Sequence, residues 1–209
     1  MMRRTSEGAA LVALACVVAW SAGPSSGLIA QREPVAEPAS DGPRYGSGNN
    51  LVRPANYRDW MFLSSSLGLS YQPSNGGLPQ FQNVFVNRSS YRGFMQTGKW
   101  PDKTIFVLEF RKSAAPSSSV NRDGRFQSGL DFIEAEVKDS RFADGWAYYS
   151  FDQATPPTGA PPLSGDRVAR CIECHTQHTA VERTFVQFYP TLFDVAKQHG
   201  TVKPNYTDP

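Results

Sequence analysis

Residues 171–175, Cys-Ile-Glu-Cys-His, constrain this chain more than any other five. Two thiols separated by two residues can each add to one vinyl group of a haem. The adjoining histidine is then held under the iron as an axial ligand. On this reading Cys171 and Cys174 anchor one covalent haem c, His175 is the proximal iron ligand, and every cysteine beyond the leader is used. Two other chemistries share the spacing. A thiol redox pair should open a helix after a strand in a βαβ unit, yet residues 152–166 are rich in Pro and Gly and read as a loop. A structural zinc site draws its ligands from separated segments, and Cys171, Cys174, His175 and His178 are crowded into one.

The N-terminus is consistent with attachment outside the cytoplasm. Arg3 and Arg4 precede an apolar run, AALVALACVVAW at residues 9–20, of signal-peptide length and short for a membrane span. Residues 1–30 are therefore expected to be a signal peptide that carries Cys16 away, and the mature protein is expected in the periplasm. Residues 31–50 combine Pro, Gly, Ser and charge without apolar periodicity and are expected to be a disordered tether. The haem domain is expected over residues 51–209. A net charge of +2 offers no basic stripe for nucleic acid, and no stable membrane insertion is expected once the leader is removed.

Along the domain, Pro54 can open a helix with Tyr57, Trp60 and Met61 on one face. QFQNVFVN (residues 80–87) alternates with period two and predicts a strand. Asn87 then reads as the N-cap of a helix that Gly98 stops. TIFVLEFRK (104–112), FQSGLDFIEAEVKD (126–139) and GWAYYSFD (145–152) predict three more strands, and the chain from Val168 to about Gly200 reads as helical. The fold class is α+β: a mainly antiparallel sheet of about four to five strands with flanking helices and a C-terminal helical haem-attachment segment.

The order of these pieces resembles the cytochrome P-460 family, which includes the cytochromes c′-beta. The resemblance is carried by NYRDWMFLSSSLGLSY, FQNVFVN, YRGFMQTGKWPDKTIFVLEFR, EVKDSRF, GWAYYSFD and CIECHTQHTAVERTFVQFYPTL, which cover most of residues 56–192. It implies a small antiparallel β domain with one c-type haem, often a homodimer. The hydroxylamine-oxidising members carry a lysine cross-linked to the haem from the strand that here contains Leu108. The resemblance therefore implies the c′-beta type, which binds nitric oxide or a related small ligand, with a periplasmic redox partner.

The remaining question at the sequence level is the sixth iron position. His178, three residues beyond His175, cannot reach the opposite face from the same helix. His199 reads as a helix-end residue, and Met61 and Met95 as core. A vacant position suits ligand binding or catalysis, and electron transfer alone would need Met61, Met95 or His199 to fill it. If Leu108 faces the haem, Phe106 and Phe110 share its face and form an apolar distal pocket without a proton acceptor; otherwise all three are sheet core. Glu109, Glu134 and Glu136 read as solvated or paired with Arg111 and Lys138, and Arg92 and Arg125 are candidates for the haem propionates.

Overall fold

TIFVLEFRK lies at the middle of the sheet, and its alternation decides which way the two faces of the domain look. The computed structural model describes residues 41–70, 77–115, 124–152, 155 and 159–207. Five strands, β1 (Met61–Leu67), β2 (Phe81–Val86), β3 (Thr104–Ala114), β4 (Phe126–Lys138) and β5 (Trp146–Phe151), pair antiparallel in chain order. Helix α1 (Arg88–Thr97) joins β2 to β3, and α2 (Gly165–Gln177) and α3 (Pro190–His199) follow the sheet. The α+β architecture read from the sequence is the one present.

On one face of β3, Ile105 and Val107 pack with Ile133, Ala135 and Val137 of β4 and with Ala147, Tyr149 and Phe151 of β5, under a cover of Leu51, Tyr57 and Trp60. Phe106, on the other face, joins Val86, Phe94 and Trp100 and, from the C-terminal segment, Val181, Leu192 and Val195. Each of these larger side chains contributes about 1.5–3 kcal/mol on leaving water, so helix and sheet propensities are secondary to which face a residue serves. Trp100 lies between Phe94 and Phe106, and its Nε1 donates to Thr184 Oγ1 at 2.8 Å. That bond fixes the chain between α2 and α3.

Three sequence expectations are corrected. No helix starts at Pro54: a single 3-10 turn, Tyr57–Asp59, leads directly into β1. The spacing of Tyr57, Trp60 and Met61 reflects a chain crossing the sheet, because Tyr57 and Trp60 enter one core and Met61 packs on the other. Residues 41–50 are not a loose tether. Tyr45 bridges Leu51, its hydroxyl donates to Asp139 Oδ2 at 2.9 Å, and Asn49 O accepts from the Tyr149 hydroxyl at 3.0 Å. Asn87 precedes α1 as expected but caps nothing with its side chain, because its Oδ1 accepts from the Ile105 amide. Asp41 takes over, accepting from Ser89 N at 2.9 Å. Gly98, left-handed at φ 67°, ends α1 as expected. The signal segment, Cys16 and the rest of the tether lie outside the described residues, among which no helix is long and apolar enough to cross a membrane.

Candidate haem site

Helix α2 follows the Pro/Gly-rich segment at Ser164 and carries Cys171, Cys174 and His175 well inside it. Cys171 and Cys174 are three apart and so share a face. Although amphipathic, α2 buries none of its residues, whereas α1 buries Ser90 and Phe94 and α3 buries Leu192, Val195 and Ala196. Its inward face looks into a crevice against the sheet. A cavity of about 110 Å³ is lined by Phe106, Leu108, Glu134, Glu136, Tyr148, Cys171 and His175 among others. A second, of about 420 Å³, takes in Cys174, Ser64, Ser66 and Gln82. Val84, Leu108, Phe185 and Tyr189 line both, so the two cysteines border adjoining spaces under one helix.

His175 is fixed by its neighbours. Its Nδ1 lies 2.7 Å from the Arg183 carbonyl oxygen, and the rings of Tyr148 and Phe185 stand edge-on to the imidazole at 5.0 and 4.8 Å. A carbonyl only accepts, so Nδ1 carries the hydrogen in the neutral ring and Nε2 keeps its lone pair for a metal. Burial alone would lower the His175 pKa, but Glu136, the Arg183 carbonyl and Glu134 together raise it. Surroundings that favour a positive imidazole also favour a cation on Nε2.

Neither alternative for the cysteines matches this geometry. Both are free thiols, raised above the ordinary range by burial, with Glu134 and Glu136 adding to the effect at Cys171. Dithiol exchange relies on a thiolate stabilised at a helix N-terminus or beside a cation. Among the described residues, no group of three or more Cys, His, Asp or Glu gathers as a metal-ion site.

Of the three residues expected on the distal face, Phe106 and Leu108 line the crevice. Phe110 lines neither cavity: it stacks on Phe132 at 4.2 Å, where the β3–β4 register shifts between Phe110 and Arg111. Met61, Met95, His178 and His199 also line neither. Arg92 and Arg125 are exposed, whereas the charge of Arg167 reaches Glu134 and that of Arg183 reaches Tyr148. Glu109 pairs with Arg111 on the opposite face of the sheet, as expected, while Lys138 pairs with Glu182.

Glu134 and Glu136 are not solvated; they enter the crevice, and burial raises the carboxyl of Glu134 above its ordinary value. The expectation of a pocket without a proton acceptor is therefore wrong. The signal lay in the pairing, which sets Phe106, Glu136 and Tyr148 in one cross-strand row and Leu108, Glu134 and Ser150 in the next. Residues directly opposite share a face, so placing Leu108 on the crevice places Glu134 there too.

The sequence matches the family model for Cytochrome P460 over residues 54–186, more than half of the chain. The chain belongs to the cytochrome P460 family. No curated protein matches it. The family match spans all five strands, α2 and the Arg183 carbonyl, and stops before Phe188 and Tyr189, which close the larger cavity. As a cytochrome P460 family member it binds haem. The residues present suit that group: two protonated thiols on one helix face, a histidine with a free Nε2, and a helix that leaves its inward face unburied.

Proposed function

We propose that Cys171 and Cys174 hold one haem c covalently, that His175 Nε2 ligates its iron, and that the exported protein binds or redox-converts a small nitrogen oxide such as nitric oxide. The observation that carries this is His175 held by the Arg183 carbonyl with Nε2 free, beside two thiols that face the same crevice. Bound haem supplies a redox-active iron able to take a small ligand. The chain supplies the rest. The Arg183 carbonyl orients the imidazole, Val84, Phe106 and Leu108 give the crevice an apolar wall, and Phe185 and Tyr189 close it on the other side. No Met or His other than His175 lines either cavity among the described residues, which supports an open sixth position. Export to the periplasm, a periplasmic redox partner and a possible homodimer belong to the same reading.

A second reading, oxidation of hydroxylamine or a similar reduced nitrogen compound, is favoured by Glu134 and Glu136. An N–H or O–H substrate must give up protons, and a carboxylate in reach can accept them. Against it, Leu108 occupies the strand position where the hydroxylamine-oxidising relatives are expected to carry their cross-linking lysine, and no lysine lines either cavity among the described residues.

The test is the absorption spectrum of the matured protein, oxidised and reduced, before and after nitric oxide. A high-spin haem that takes the ligand supports the first reading. A low-spin haem that ignores it overturns that reading in favour of electron transfer. Turnover of hydroxylamine with a chemical electron acceptor would establish the second.

A further inference from the structure

Beside His175, Glu136 Oε1, the Tyr148 hydroxyl and Arg183 Nη1 are buried without a hydrogen bond of good geometry, although Tyr148 interacts with both Glu136 and Arg183. Leaving such groups without a good hydrogen bond costs about 1–3 kcal/mol each, so three together call for an explanation. Glu136 Oε1 lies 3.1 Å from His175 Nδ1, within ion-pair distance. The Arg183 carbonyl, at 2.7 Å, is the nearer acceptor for the same Nδ1–H. One hydrogen thus has two oxygens within reach, one neutral and one anionic.

Resting on the reading that His175 Nε2 ligates the iron, we propose that Glu136 is a positioning residue that accepts a hydrogen bond from His175 Nδ1–H, beside the Arg183 carbonyl, and thereby sets how strongly the imidazole donates to iron. A cation on Nε2 withdraws electrons from the ring and makes Nδ1–H a stronger donor. Charge-assisted hydrogen bonds are roughly twice as strong as neutral ones, so the balance between the two acceptors moves toward the carboxylate. Acceptors on the far nitrogen of a metal-bound histidine fix its orientation and raise its basicity. The cross-strand pairing holds Glu136 in place between Phe106 and Tyr148. Tyr148, which interacts with both Glu136 and Arg183, offers the carboxylate a second donor.

The experiment is resonance Raman of the ferrous protein in its iron–histidine stretching region, with the midpoint potential, for the wild type and Glu136→Gln. Glutamine keeps the shape and one accepting oxygen while removing the charge. The wild-type frequency is expected above that of ferrous haem ligated by neutral 2-methylimidazole. In Glu136→Gln it should fall toward that reference while the midpoint potential rises. Haem-loaded Glu136→Gln with both quantities unchanged overturns the proposal. If the variant fails to take up haem, the wild type decides: a frequency at the neutral reference overturns the proposal, and one above it supports it. An iron–histidine mode absent from the wild type overturns the His175 assignment itself, a different failure from a mode that is present at the neutral value.

Discussion

Glu109 is 2% exposed on the side of the sheet away from the crevice. Burial would raise its carboxyl, but hydrogen bonds from Arg111, Tyr57, Asn83 and Arg58 outweigh that and bring it down to about 2 from an ordinary 4.5. A carboxyl depressed by folding stabilises the fold fully above its unfolded pKa, and the contribution is lost as pH falls through the folded value. Between about pH 5 and pH 2 the protein should lose about 3 kcal/mol from this group. Urea unfolding at stepped pH should show Glu109→Gln less stable than wild type at pH 6 and lacking much of the acid loss. For the proposed haem anchors, Cys171→Ala or Cys174→Ala should each leave a single thioether that survives denaturation, and the double variant none. The mass of the denatured chain is the check. Cys171, Cys174 and His175 stand out as candidates because they are adjacent residues in one short motif. Glu134 and Glu136 were not, because a carboxylate on a strand looks the same in sequence whether it faces water or a crevice.

At the level of elements, strands β2 to β5 and α1 were readable because period-two and period-3.6 patterns differ, and Gly98 marks a stop that only a left-handed residue can make comfortably. The segment after Pro54 was misread because three apolar residues at helical spacing are equally well used by a turn that delivers them to two cores. The link between the N-terminal segment and the loop before α2 had no signal at all. Gly159, at φ 106°, brings the backbone so close to Leu51 that a Cβ would lie 2.3 Å from the Leu51 carbonyl oxygen. The Leu51–Ala160 bridge, with N–O distances of 2.9 and 3.0 Å, depends on that approach. Gly159→Ala should cost about 2–4 kcal/mol, since backbone must shift as well as adopt a strained φ. Thermal unfolding should show a Tm lower by several degrees.

For the whole molecule, residues 41–50 complete the domain, in contrast to the expected tether. A protein beginning at residue 51 loses the Asp41 contacts to Ser89, the Tyr45–Asp139 hydrogen bond and the acceptor for the Tyr149 hydroxyl. It should unfold at lower urea concentration than one beginning at residue 41, and a matching midpoint would show that these contacts add nothing. By itself the sequence determined the Cys-Ile-Glu-Cys-His motif, the class of fold and the strands β2 to β5, because each is a local pattern of residue types. Only the tertiary structure decided which sheet face meets α2, which carboxylates enter the crevice, and which carbonyl takes the Nδ1–H of His175. Those outcomes depend on register between strands distant in sequence, and a shift of one residue exchanges every side chain between the faces.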